Sequence, residues 1–572
     1  MTWRIELLSF AKSIRCRRLR NRHASGRHTR GAFHATQLLG LVFYVAGSYA
    51  IHVSVFAATH TIKEVVITPK YETAGIIVRA DVEKLGLEIK KSGHFVEAHP
   101  FIRYDRNHLA SSLFGLMPET KYTIRIGKTD VHTFRTKPEY VLPVSKSTVR
   151  VTDMRALQEA VDSAQPGTTI LVAPGTYQGS IAVRRSGTIR HPIVIRGDVS
   201  KNLVTPTRER TDLPIIDASG NETGILVENA EHVVLGNLQV RNAEKHGVYL
   251  LRASHCVVQY MQIYDNGVWN LIVSKGGETA GRHLIQYNHI ADLVHSRFRF
   301  DYRGQKGVTY YGIIQDNQGG WGSTIRGNYV EGHVDGIVPS GDEHDLKYIS
   351  ENYQNVLAKW VNREVDVYDN VLIDQRDDGI EADGICVNMR IFRNHVKRAQ
   401  NATAIAPVGP GPFFFLRNIL EEYNESGVKF NTADGRGTIR NVYYYHNTFK
   451  PWEFNSQGIL TIWAGTPSKN IVFRNNIFTG RLRAISFQGV AHRPDMDYDL
   501  WYASDVRWVK RTFKSADLPW EIHGLFTDPE LARNYVPKPG SPAIDNAVAL
   551  PGINDNYYGA GPDLGAIEYL SN

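Results

Sequence analysis

From about Ile193 onward, Val, Ile, Tyr and Phe alternate with polar residues in runs of a few positions, each closed by a turn residue. Two marks punctuate these runs. A tetrad of the form x-Gly-(Val/Ile)-x returns as HGVY from 246, NGVW from 266, DGIV from 335, DGIE from 378, SGVK from 426 and QGIL from 457. An Asn-centred turn returns as YNHI, GNYV, DNVL, RNHV, RNIL, HNTF and RNNIF; Asn370, Asn394 and Asn418 are 24 residues apart, and Asn447 and Asn475 follow at 29 and 28. Such a period means a solenoid. Helical spacing and a Leu consensus are both missing, so the pattern predicts three short strands per coil with Asn stacked at one turn: an all-β, right-handed parallel β-helix. The steps from Asn288 to Asn328 and from Asn328 to Asn370 are 40 and 42 residues, so two coils carry insertions, expected to leave as loops that wall a groove.

Before the solenoid the pattern changes twice. Residues 61–139 show alternating strands between polar turns (IKEVVITP, AGIIVRAD, KYTIRIG, VHTFRTKP), which predicts a small β-sandwich. In VTDMRALQEAVDSAQPGTT, Thr152 or Asp153 can cap a short helix with Leu157 and Val161 on one face. A helix there would cover the open end of a β-helix running from 148 to 572, which would otherwise expose its core and edge strands.

Composition enters mainly through charge. The formal net charge is +8, but residues 1–57 hold nine Lys or Arg against one Glu and account for all of it. The remainder is near neutral, which gives no reason to expect nucleic acid as a partner. The basic stretch precedes an apolar run, Leu38 to Ala58, ending in VFAA; residues 1–58 therefore read as an export signal, with an uncleaved membrane anchor or a start codon placed too early as alternatives. The expected location is periplasmic, secreted or cell-surface, with membrane contact only through that segment, and the expected state is a monomer. Cys256 and Cys386 lack disulfide or metal-clip spacing and read as buried small apolar residues.

The candidate chemistry lies in DDGIEADG, residues 377–384, where Asp377, Asp378, Glu381 and Asp383 crowd together. Superposing coils on their Asn turns aligns Ile380 with Ala404 and Val428, Glu381 with Ile405 and Lys429, Ala382 with Ala406 and Phe430, and Asp383 with Pro407 and Asn431. Strand side chains alternate between faces, so Glu381, Asp383, Lys429 and Asn431 are expected on one outer face. The same register sets Asp335 about 4.8 Å, one coil, from Asp378, and Lys429 about 10 Å, two coils, from Glu381. Asp and Asn also serve β-helix turns structurally; it is the cluster that points to function.

So many carboxylates raise one another's pKa unless a cation neutralises them. A cation held by oxygens alone would be calcium, and beside it a lysine of lowered pKa could take the proton next to an acidic sugar's carboxylate: β-elimination by a polysaccharide lyase. If a proton is kept instead, Asp378 or Glu381 becomes the acid of a glycoside hydrolase, with Asp335 or Asp383 as partner. A non-catalytic glycan-binding or surface protein is the third reading. Tyr249, Trp269 and Trp321 are candidates for stacking on sugar rings, whereas His344 reads as a solvated loop histidine.

Three stretches resemble known families. LMPETKYTIRI resembles the tyrosine corner of fibronectin type III domains, with Tyr122 in the corner; the helix-PGTY-strand stretch resembles the N-terminal cap of exported β-helix polysaccharide lyases, and SPAIDNAVALPGINDNYYGAGPDLGAIE their closing segment. DDGIE and SGVK resemble the calcium and base motifs of family 9 pectate lyases. That resemblance implies Asp335, Asp377, Asp378 and Glu381 as calcium ligands and Lys429 as base. Here Glu381 stands where that family has Asp, and an additional coil intervenes.

Overall fold

The computed structural model describes residues 62–572 apart from 200–211, 277–279, 295–308, 317–318, 341–361, 406–407, 431–438, 453–459, 463–467, 481–484, 488–493, 504–519 and 571–572. Most of both insertions, with His344 and Asn431, lies outside the described residues.

From Ser147 to Ala503 the chain winds as a parallel β-solenoid whose coils contribute to a 14-stranded and a 21-stranded sheet. Its interior is one continuous cluster from Val151 to Trp520, mainly Val, Ile, Leu and Ala at first and increasingly Phe, Tyr and Trp toward the end. Phe415, Tyr444 and Phe473 stack there coil on coil, with centroids 4.3 and 4.8 Å apart. Cys256 and Cys386 are both buried and free.

The Asn turns form a ladder. In Asn288, Asn328, Asn370, Asn394, Asn418 and Asn447 the side-chain amide donates to the next rung's oxygen at 2.9–3.0 Å, and that oxygen also accepts the preceding backbone N–H. Buried turn groups are thereby satisfied without water. The final rungs are Asn476 and Asp499, not Asn475 as the spacing suggested. Asn475 sits one residue earlier in a left-handed conformation, φ 62°, and binds Val548 of the C-terminal segment instead. The 40- and 42-residue steps are real, pairing Leu284 with Thr324 and Thr324 with Asp366.

The expected cap is present. Helix Met154–Ser163 starts on Asp153, whose carboxylate accepts the N–H of Ala156 at 2.9 Å, and buries Leu157, Ala160 and Val161 against the first coil. At the other end Ala543 and Leu564 pack on Ile477 and Leu500.

Residues 62–135 form two four-stranded antiparallel sheets around their own core. The Tyr122 hydroxyl accepts the backbone N–H of Met117 at 2.8 Å. This module is fixed to the solenoid by buried polar groups. Lys70 donates to the carbonyls of Gly322 and Ser323 at 2.5 and 2.8 Å, and Thr73 to Asp366 at 2.6 Å. Arg390 joins Glu364, Asp366 and Ser112 beneath them.

Candidate functional site

The tetrad glycines mark a corner. A Cβ on Gly336 would meet the Gly379 carbonyl at 2.6 Å and Leu372 at 2.7 Å; one on Gly379 would meet Val396 at 2.4 Å and the Ala402 carbonyl at 2.6 Å. The backbone here presses against the core, leaving no room for a side chain. The residue before each glycine, Asp335 or Asp378, is buried like the Ile after it, but Ile337 and Ile380 belong to the apolar core whereas the two acids lie against each other and, for Asp378, against Lys429.

Register then stacks them. Ile337 pairs with Ile380, so Asp335 lies beside Asp378, and the backbone N–H of Asp378 donates to Asp335 Oδ1 at 2.9 Å. Between strands Val371–Glu381 and His395–Ile405 a bulge intervenes: Gln375 pairs with Ala399 but Asp378 with Asn401, three residues against two. The extra residue lets consecutive Asp377 and Asp378 reach one place, where oxygens of Asp335, Asp377 and Asp378 all lie within 4.8 Å of one another.

The bulge also corrects the expected lines. Thr403, not Ala404, stands between Ile380 and Val428, and Ala404, not Ile405, between Glu381 and Lys429; Ile405 is in the core. The next strand restores the lost residue, so Glu381 and Lys429 do share an outer line. With only the methyl of Ala404 between them, the lysine reaches back across a coil. Its Nζ is 2.5 Å from Asp378 Oδ2 and 3.8 Å from Asp377 Oδ1, closer to the acids than two coil spacings suggest. Asp383, expected on the outer face, is instead buried, and its carbonyl accepts the Ser340 hydroxyl.

Charge is out of balance here. Burial and the charges of Asp377 and Asp378 hold Asp335 well above the usual carboxylate range. Burial and Asp377 push Asp378 up to about 7 despite Lys429. Glu381 is raised by burial and by Asp335, Asp383 and Asp378. For Lys429 burial opposes the charge, but Asp378, Asp377 and Glu381 outweigh it and raise the ammonium's pKa well above normal. One residue escaped the sequence reading: Asn401, next on the line of Asp335 and Asp378. Its Nδ2 donates to Asp378 at 2.8 Å and to Asp377 at 3.2 Å, and its Oδ1 is buried without a partner.

The aromatic candidates go elsewhere. Trp269 aligns with His246 and Tyr311, and Tyr249 with Ile272, so the two are not on one line. Trp269 lies between the rings of His246 at 5.0 Å and Tyr311 at 6.5 Å, so protein rings take both faces. With Tyr249 it joins an apolar cluster of Ile272, Ile314 and Val338 that continues the acid wall toward the N-terminus. Trp321 stands on a different turn, paired with Gly281 and Arg363.

Comparison with known proteins gives an architectural likeness. No protein-family profile matches the chain, and no curated relative matches. Among solved structures, an alginate lyase from Paenibacillus sp. str. FPU-7 aligns at 16% identity over 63% of this chain and 98% of that one, TM-score 0.37. Pectate lyase Pel9A aligns at 16% over 74% and 97%, TM-score 0.42, and the PL6 family alginate lyase AlyGC at 12% over 68% and 54%, TM-score 0.43. The chemistry of this chain rests on its own side chains.

Those side chains fit an oxygen-liganded cation. Three carboxylates, Asp335, Asp377 and Asp378, converge beside one ammonium with Glu381 outside their group, every donor is a hard oxygen, and the amide oxygen of Asn401 is left unsatisfied beside them.

Proposed function

We propose that this protein is an exported polysaccharide lyase acting on a uronate-containing glycan. The observation that carries the reading is the contact of Lys429 with Asp378 in a largely buried cluster of Asp335, Asp377 and Asp378. Asp335, Asp377, Asp378 and Glu381 would hold calcium, whose chemistry is to neutralise the uronate carboxylate and acidify the adjacent C–H.

The chain's own part follows from charge. Paired with Asp378, Lys429 is an ammonium and cannot accept a proton. Neutralising that carboxylate removes the influence that keeps the lysine charged, and burial, which opposes its charge, then favours the neutral amine. The amine Nζ takes the proton on the carbon beside the uronate carboxylate. The C–H electron pair forms the ring double bond, the C–O bond to the neighbouring sugar breaks with its electron pair going to the oxygen, and that oxygen takes a proton from solvent water to leave as a hydroxyl. Asn401 holds Asp377 and Asp378 in place through its two N–H contacts.

A second reading uses the same atoms. The raised pKa values of Glu381 and Asp378 suit a general acid, which makes hydrolysis by a carboxylate pair the alternative. The test is to incubate the protein with polygalacturonate, alginate and neutral polysaccharides, with and without a chelator. A lyase yields products with the ultraviolet absorbance of a conjugated unsaturated uronate and stops when chelated. A hydrolase yields reducing ends without that absorbance, and a binder leaves the glycan intact.

A further inference from the structure

On the turn carrying Ser254, Gly281, Trp321 and Arg363 in successive coils, an indole meets two guanidiniums. Arg282, from the coil before, lies 3.9 Å from the Trp321 ring centre, and Arg363, from the coil after, 5.2 Å. Stacking on an aromatic ring orients a guanidinium while leaving its in-plane N–H edge available for a carboxylate. The two like charges oppose each other: burial and Arg363 hold Arg282 below its usual pKa.

Beside this stack is a cavity of about 240 Å³ between the module and the solenoid, lined by Trp321 and Arg363 and by Arg79, Tyr104 and His108 of the module. Tyr104 and His108 stack at 5.8 Å. The acids at this cleft are already engaged. Glu364 is held by Arg390 and Asn388, and the half-exposed pair of Glu64 with Arg79, at 3.2 Å, costs little to open. The cleft therefore offers the Arg363 and Arg79 guanidiniums for a carboxylate, with the Trp321 ring, already covered by Arg282 and Arg363, serving to orient Arg363.

We infer that the cleft between the module and the solenoid is a second, non-catalytic binding site for a carboxylate-bearing polysaccharide segment, with Arg363 and Arg79 as its anion contacts. The inference rests on the reading of the protein as active on an acidic glycan, and it gives the module a role: it supplies one wall of the site.

The experiment uses the full chain as the Lys429→Ala variant, so that polymer is held without being cut, with polygalacturonate and alginate as probes in affinity electrophoresis and a neutral glucan as control. Arg363→Ala added to it weakens retention about tenfold, and Arg363→Lys restores part of the loss. Arg79→Ala, at an exposed position, weakens retention in the same direction and serves if the Arg363 variant does not fold. With Lys429 intact, Arg363→Ala raises KM on the polymer and leaves kcat on a short oligouronate unchanged. Folded Arg363→Ala and Arg79→Ala that retain both polymers like their parent overturn the inference, as does failure of the folded Lys429→Ala parent to retain either one. Retention by the Lys429→Ala variant together with no unsaturated product from calcium-supplied wild type sinks the lyase reading alone.

Discussion

Asp378 and Lys429 need each other only while no other cation is present, and Asp335 pays the larger electrostatic cost of that arrangement. Its carboxylate is raised from the ordinary 3.8, so it favours the native state below that pH and withdraws that support as pH climbs through its higher native value. In metal-free protein, the stability of the wild type relative to Asp335→Asn should therefore fall as pH rises above the ordinary carboxylate range. Urea denaturation at several pH values reads this difference; parallel curves would contradict it. Asn401→Ala, which removes both N–H contacts to Asp377 and Asp378, should lower calcium affinity in calorimetric titration while leaving the far-ultraviolet circular dichroism unchanged. The acids and the lysine were legible in the sequence because the Asn turns set their register. Asn401 was not, since a bulge of one residue shifts its whole strand against the 24-residue count.

At the scale of elements, the Asn ladder and the glycine corners carry the register. Asn394 makes its amide and carbonyl contacts within one buried column: to Val367 at 2.9 Å and Asn418 at 3.0 Å, and from Asn370 at 2.9 and 3.1 Å. Asn394→Ala leaves those groups buried without partners and should cost on the order of 3 kcal/mol in equilibrium denaturation; a change under about 0.5 kcal/mol, the range of ordinary surface substitutions, would show the ladder to be incidental. The repeated Asn made the solenoid readable, and the apolar alternation supplied its core. Finer placement failed where two candidates adjoin: Asn475 and Asn476 are neighbours, and only the left-handed backbone at 475 decides which one turns inward. NGVW likewise matched the tetrad in letters, but Trp269 rather than Asn266 takes the register of His246, so its ring stacks among protein rings.

For the whole molecule, the sequence separated a sandwich from a solenoid and gave no sign of how they join, because Lys70 and Arg390 look like surface charges until the chain is folded. Lys70 is fully buried with its ammonium on two solenoid carbonyls, so Lys70→Ala should destabilise the whole chain by about 1–3 kcal/mol. A thermal transition at the wild-type temperature would mean that the module is only tethered. The acid wall itself is tested most directly by following unsaturated-product absorbance on polyuronates for wild type and Lys429→Ala, each stripped by chelator and then resupplied with calcium. The account predicts product from wild type only when calcium is restored, and none from the folded variant under either condition. Undiminished product from stripped wild type, or from Lys429→Ala, would contradict it.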